Sequence, residues 1–152
     1  MAQDFYDPIQ VFDYIADRID DNKASLGLRY VARQDSDLLP EYPAILISME
    51  RAVNRSQHAT QQFLVTFGLE FYIFHARLTT TKQVRSRDDV LLATSVRKLL
   101  HADYTLGGHI NFGYVEGEFP RRSRVLIGAK AQSVVTTHLT WTGQNRVPYS
   151  MS

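Results

Sequence analysis

Side chains that often carry out catalysis or bind metal ions occur along this chain, but their spacing forms no recognised motif. The serine elbow GxSxG and the zinc-binding HExxH are both absent from the sequence. The chain has no cysteine, which excludes thiolate nucleophiles and thiolate metal sites. The histidines fall in different predicted elements without ligand spacing: His58, His75, His101, His109 and His138. We expect surface or hydrogen-bonded histidines, no catalytic residue, no metal site, no cofactor and no enzyme activity.

Neighbouring carboxylates offer a second kind of chemistry, general acid–base catalysis. Asp20–Asp21 and Asp88–Asp89 lie at a predicted helix end and helix start, where solvation or the helix dipole accounts for them. Glu116 and Glu118 share one face of a predicted strand. They form either a small acidic site or, more ordinarily, a solvated strand face. Residues 128–131 lack the glycine directly before lysine that a phosphate loop needs.

The element that must position everything else is one long strand, predicted over residues 62–77. One face carries apolar side chains at every second position: Phe63, Val65, Phe67, Leu69, Phe71 and Ile73. The other face carries Leu64, Tyr72 and Phe74. At roughly 3.4 Å per residue the strand approaches ~50 Å. A strand that is apolar on both sides needs helices on one side and further chain or another subunit on the other, which indicates assembly.

The remaining pattern predicts a single α+β domain spanning residues 1–152. With 152 residues, 44% hydrophobic and 22% charged, the chain can bury one core. The predicted helices are 8–22, capped by Asp7, and 88–102, with a capping box at Ser86; the further predicted strands are 28–33, 44–53, 109–119 and 125–142. The prediction is a mixed, mainly antiparallel sheet with one long strand, flanked by two helices, and a short polar C-terminal tail over about 143–152. The first three strands are compatible with an antiparallel meander.

No apolar run reaches the ~18 residues of a membrane span, and the first residues lack the pattern of a signal peptide. We therefore expect synthesis in the cytoplasm and no membrane partner.

Charge is distributed unevenly along the chain. The net charge is +1, but residues 1–50 carry ten acids against four bases, and the remainder carries thirteen bases against six acids. Such a subunit is suited to head-to-tail contacts that close a ring, if the charges do not mix on the folded surface. Two clusters are basic: a predicted exposed loop, 78–87, and a predicted connector, 120–124. Their partner-binding candidates are Lys82, Arg85, Arg87, Arg121, Arg122 and Arg124. Solvation alone also accounts for such loops.

One short segment resembles part of an RNA-binding motif. Phe112-Gly113-Tyr114-Val115 matches the middle of the strand whose exposed aromatic residues stack bases. The flanking positions of that pattern are wrong, and another strand rather than a helix follows. We therefore expect these aromatic residues to belong to the core.

The order of elements resembles that of the tail terminator, or tail completion, proteins of long-tailed bacteriophages. The resemblance rests on the acidic first helix, the Pro-Ala-Ile-Leu strand at 43–46, the long strand 63–75, the basic loop, the second helix and a closing strand over 134–141. It implies a mixed α/β subunit of a ring, generally a hexamer, on the upper end of the tail tube.

Such a ring stops tube growth and presents a surface for head joining. The implied partners are further copies of the chain, the tail tube protein and a head-completion or connector protein, with DNA only as passing cargo. The implied location is the virion, in its tail or neck. Alternatives are another neck or tail protein, such as a head-closure or tube-like protein, or a nucleic-acid-binding module. The helices are expected to cover one face of the sheet, with a neighbouring subunit on the other.

Overall fold

A computed structural model describes residues 7–33, 41, 43–59, 62–75, 82–116, 121–127 and 132–148. The elements in chain order are α1 (Pro8–Asp21), α2 (Lys23–Leu26), β1 (Tyr30–Arg33), β2 (Ala44–Ala59), β3 (Gln62–Phe74), α3 (Lys82–Ala102), β4 (Phe112–Val115), β5 (Arg121–Ile127) and β6 (Gln132–Pro148). No helix in the described ranges is long and apolar enough to cross a membrane.

The strands form one mixed sheet in the order β1-β2-β3-β6-β4, and β5 also pairs with β6. The α+β class, the mainly antiparallel sheet and the long strand are confirmed. The antiparallel meander is wrong at its first step, because β1 pairs parallel to β2. Strands β4 and β5 both run antiparallel to β6, along successive parts of the same side of β6.

Helix α1 forms where its local signals place it. The Asp7 side chain accepts a hydrogen bond from the Ile9 N–H at 2.8 Å, and the Gln10 side chain accepts one from the Asp7 N–H at 3.3 Å. Pro8 fits the first turn because its missing N–H has no helical partner there. The residues that α1 buries lie on one stripe: Val11, Phe12, Ile15, Ala16 and Ile19. The predicted bounds of this helix are confirmed to within one residue.

Helix α3 begins at Lys82, six residues before the predicted start. The prediction of an exposed loop is therefore wrong for residues 82–87, while residues 78–81 lie outside the described ranges. Ser86 is inside the helix and is no cap. Apolar periodicity is absent from this first part, but lysine, glutamine and arginine favour helix through their flexible, unbranched side chains. Val96 and Leu100 are buried, as expected.

Three strands extend further than the sequence pattern indicates. Strand β2 continues to Ala59, six residues beyond its predicted end at residue 53. The pairing of β2 with β3 shifts register between Ser48 and Arg51 and again before Asn54, which interrupts the alternation of apolar and polar residues. Strand β6 continues to Pro148 and pairs with β3, so the predicted polar tail is strand over 143–148. The connector prediction is also wrong, because β5 begins at Arg121. The single strand predicted over 125–142 is wrong as well, because β5 ends at Ile127 and pairs antiparallel with β6, which begins at Gln132.

The core lies between the helices and one face of the sheet. Strand β3 contributes Val65, Phe67, Leu69, Phe71 and Ile73, as the period of two predicts. The Trp141 indole is fully buried in this layer, close above Gly113 and Gly143. A side chain at either glycine would occupy the position of the ring. Trp141 is thus a core residue.

Candidate assembly surface

The face of the sheet opposite the core is only half-covered in the described part of the chain. Register places on it the alternate residues of β2, β3, β4 and β6. Its half-buried or exposed members are Leu46, Ser48, Leu64, Thr66, Tyr72, Phe112, Tyr114, Glu116, His138, Thr140, Thr142, Gln144 and Arg146. We call this surface the open face. Eight of these thirteen residues are polar or charged, and three are phenylalanine or tyrosine.

A hydrogen-bonded cluster lies at the centre of the open face. Glu70 is only 8% exposed, and its carboxylate accepts a hydrogen bond from Thr140 at 2.8 Å and is also bonded to His138 Nε2. The Tyr72 ring stacks on the His138 ring with centroids 4.8 Å apart. The cluster bridges β3 and β6, so these side chains are held in one arrangement.

Two aromatic side chains stand out from β4 on the same face. Phe112 is 41% exposed and Tyr114 is 43% exposed, and their rings stack with centroids 6.1 Å apart. The expectation that these residues belong to the core is wrong. In an antiparallel pair with β6, alternate residues of β4 face opposite sides. Gly113 and Val115 therefore take the core side, which leaves the aromatic pair outside.

The six predicted partner-binding residues lie on regular elements rather than on loops. Lys82, Arg85 and Arg87 belong to the first two turns of α3. The three arginines of the predicted connector, Arg121, Arg122 and Arg124, belong to β5. Their backbone positions are described, whereas their side chains lie outside the description. Whether they bind a partner stays a prediction.

A buried polar contact joins α3 to the end of β3 and to β6, the strand that pairs with β5. Asp89 of α3 lies 3.2 Å from His75 Nδ1, and His75 Nε2 lies 2.6 Å from the Thr137 hydroxyl of β6. Thr137 is in turn the register partner of Arg122 in β5. The contact therefore brings the start of α3 and the start of β5 to the same end of the sheet.

This Asp–His–Thr arrangement has the order of contacts found in serine hydrolases. A neutral imidazole that donates from Nδ1 to Asp89 accepts the Thr137 hydroxyl hydrogen at Nε2. The exposed fractions are 2% for Thr137, 3% for His75 and 4% for Asp89, so a substrate has no direct access to the hydroxyl. We interpret the triad as a structural bond between α3 and the sheet. His75 continues the buried face of β3 by the period of two, and that was the sequence signal for its burial.

A second polar contact fixes α1 against the turn before β4. The Tyr14 hydroxyl donates to Asp103 at 2.6 Å, and the Gly107 N–H donates to the same carboxylate at 2.9 Å. Burial, together with the bonded Asp103, raises the pKa of Tyr14 to about 12. Burial alone would raise the pKa of Asp103, but the two hydrogen bonds and the nearby Arg18 and His109 charges outweigh it and lower that pKa.

Ion pairs within the subunit reduce the acidic character of α1. Arg33 pairs with Asp17 at 2.6 Å, and Lys23 lies 3.7 Å from Asp20. Residues 7–33 contain five acidic and four basic residues, so their formal charges nearly cancel. Residues 34–43, which link β1 to β2, contain three acids and no base, and so supply half of the net charge of −6 that residues 1–50 carry.

No cluster of three or more metal-ligating side chains occurs among the described residues. No protein-family model matches the sequence, and no curated protein matches it either.

Proposed function

We propose that the protein is a structural component of a long-tailed bacteriophage: a subunit of a ring on the end of the tail tube that stops tube growth and presents a surface for head joining. The observation that carries the proposal is the open face. It extends over the long strands β2, β3 and β6, and it displays the stacked Phe112 and Tyr114 to solvent. Clustered exposed aromatic residues are typical of surfaces that another protein covers.

A ring of this kind stops a polymer by occupying its growing end. A tube subunit exposes a surface that recruits the next copy indefinitely. A ring that matches this surface, but presents a different outer face, leaves no site for another tube subunit. The function needs no catalytic residue. It requires one face for the tube, another for the head protein, and contacts that close the ring.

The first test removes the protein from assembling particles. Tails made without it should have uncontrolled lengths and should not join heads, as measured by electron microscopy of negatively stained particles. Adding the purified protein back during assembly should restore uniform tails. Normal tail lengths and normal head joining without the protein would refute the proposal.

The second test changes the open face without disturbing the core. Phe112→Ser combined with Tyr114→Ser should leave the fold intact but strongly reduce binding to tails, because the lost contact area is aromatic. Tyr104→Ser is the matched control, since Tyr104 is 56% exposed and lies on the turn after α3. Equal tail binding by both variants would show that the open face is not the docking surface.

A head-closure or tube-like protein is the main alternative within the same particle. Both would also form rings. Particles that lack a head-closure protein should have tails of normal length and lose only head joining. Loss of a tube-like protein should abolish tails altogether.

A nucleic-acid-binding module is the second candidate, because Phe112 and Tyr114 are exposed on a sheet face as base-stacking residues are. The charges around them do not favour it. Glu116 and Glu70 lie on the same face with Arg146, whereas phosphate binding needs clustered bases. Fluorescence anisotropy with single-stranded oligonucleotides should show no binding at physiological salt. Micromolar binding that Phe112→Ser abolishes would favour this alternative.

A further inference from the structure

The sheet has two edges at which a strand has a partner on one side only, within the described residues. Strand β1 pairs with β2 alone, and β5 pairs with β6 alone. Across the sheet the order β1-β2-β3-β6-β5 spans about 19 Å, for four strand spacings of ~4.8 Å. Unpaired strand edges are templates for pairing with another chain, so each edge needs either protection or a partner.

The two edge strands, β1 and β5, lie at the same position along the strand direction of the sheet. Following the register across the sheet, Tyr30 is level with Ala44, Phe74, Thr136 and Ser123. One position along, Val31 is level with Arg122 at the far edge, through Ile45, Ile73 and Thr137. A second copy placed beside the first therefore meets it without a shift along the strands.

The directions of the edge strands are also compatible. Strand β1 is parallel to β2, and β2, β3 and β6 alternate in direction, so β1 and β6 run the same way. Strand β5 is antiparallel to β6 and hence to β1. Rotation about an axis that runs along the strands preserves these directions. The β5 of one copy then pairs antiparallel with the β1 of the next, which is the more stable pairing.

The sequence of β5 and the segment that follows β1 in the chain carry opposite formal charge. Strand β5 has three arginines and no acid in its sequence, RRSRVLI. Residues 34–43, which directly follow β1, carry Asp35, Asp37 and Glu41 and no base. Opposite charges at an interface favour correct pairing and disfavour contact between two β1 edges or two β5 edges.

We propose that a second copy of this chain binds at these edges, its β1 adding to the free side of β5 so that the sheet continues from subunit to subunit. The contact is heterologous: each copy uses a different edge towards each neighbour, so a closed ring gives β1 and the start of β5 of every copy a pairing partner. The neighbouring subunit thus lies at the sheet edge and not on the open face, which stays available for the tube or head protein. This inference rests on the ring of the proposed function.

Engineered cysteines test the contact directly, because the chain has none of its own. Tyr30→Cys and Ser123→Cys in one chain place a thiol at each edge, at positions that the register sets opposite each other across the interface. Mild oxidation of concentrated protein, and of tails that carry it, should give a ladder of disulfide-linked oligomers on a non-reducing gel. A ladder requires a heterologous contact, since a two-fold contact between like edges stops at dimers.

Two controls define the contact and its level. Tyr30→Cys with Ile127→Cys uses the same edges, but the second thiol is four residues, or about 14 Å, further along the strand and should not cross-link. Ser123→Cys alone should run as a monomer on the same non-reducing gel. Absence of a ladder from both protein and tails, or equal ladders from both double variants, would overturn the proposal, as would dimers from Ser123→Cys alone.

Charge exchange provides an independent measurement that does not require a disulfide. One variant carries Arg121→Glu, Arg122→Glu and Arg124→Glu; the other carries Asp35→Lys, Asp37→Lys and Glu41→Lys. Each variant alone has charges of the same sign in β5 and in residues 34–43. In sedimentation experiments it should therefore self-associate at least tenfold more weakly than the wild type. Mixed together they should form alternating rings, because each supplies the edge that the other needs. If circular dichroism shows that each variant is folded and the mixture still fails to associate, the proposal is contradicted.

The outcomes separate this inference from the proposed function. A ladder together with normal tails in particles lacking the protein would retain the edge contact and refute the terminator role. Uncontrolled tails together with no ladder would retain the terminator role and refute the edge contact.

Discussion

Replacing Gly113 by alanine should destabilise the protein and disturb the aromatic pair on the open face. A Cβ at Gly113 would lie 2.2 Å from Cζ2 of Trp141, whereas ordinary van der Waals contact begins at 3.4 Å, so one of the two must move by about 1.2 Å. Trp141 is fully buried, and a close-packed interior leaves little free volume into which its ring can move. The displacement therefore falls on β4, which carries Phe112 and Tyr114.

Overpacking of a filled core costs about 1–3 kcal/mol, and the size of this overlap indicates about 2–3 kcal/mol. For a chain of this length that corresponds to a fall in Tm of roughly 4–12 °C. Urea unfolding followed by tryptophan fluorescence is a suitable assay, because Trp141 is the only tryptophan. A calorimetric scan gives Tm independently.

Two further variants separate the overlap from other effects. Gly143→Ala should cost a similar amount, since its Cβ would also lie 2.2 Å from the indole. Combining Gly113→Ala with Trp141→Leu should give a smaller loss than the sum of the two single changes, because leucine leaves room for the new methyl group. The variants with Trp141→Leu contain no tryptophan, so calorimetry is the measurement for them. If Gly113→Ala lowers the free energy of unfolding by less than about 0.5 kcal/mol, as a surface change does, the packing argument is wrong.

Three other contacts give separate predictions. Burial, and then the nearby Arg97 charge, lower the pKa of His101. The contribution of His101 to stability should therefore be complete above pH 6.5 and decline as pH falls below that value. Urea midpoints at pH 7 and pH 5 should differ less in His101→Gln than in the wild type. Tyr14→Phe should cost about 1–2 kcal/mol and raise the pKa of Asp103, measurable by NMR titration, whereas an unchanged Asp103 pKa would contradict the hydrogen bond between them. His75→Ala should lower the free energy of unfolding in urea by about 2–4 kcal/mol, because it removes a buried ring and two hydrogen bonds. The exposed control Glu116→Ala should lower it by less than about 0.5 kcal/mol. Equal losses would refute the structural role of His75.

Local sequence signals determine the elements whose causes lie within a few residues. The cap at Asp7 and the proline after it determine where α1 begins, and the apolar period of two identifies the buried face of β3. Both are physical effects of near neighbours: an unpaired N–H group finds an adjacent acceptor, and alternate side chains face the same side. For the same reason Trp141 could be placed in the core.

The starts and ends of the other elements depended on distant partners. Helix α3 extends to Lys82 without apolar periodicity, and β6 extends to Pro148 because Gln62 pairs with it across the sheet. A polar segment has no pattern that distinguishes a paired strand from a tail. Its hydrogen bonds are to residues far away in the chain, and only the assembled sheet supplies them.

The candidate site divides in the same way. The sequence by itself determined the α+β class, the two-sided long strand, the basic clusters and the opposite charges of residues 34–43 and β5. The tertiary structure alone decided that Phe112 and Tyr114 face outward, that His75 meets Thr137 and Asp89, and that β1 and β5 are level at opposite edges. The physical reason is that side-chain alternation and capping act over a few residues, whereas strand order and pairing register are set when segments distant in sequence share one core.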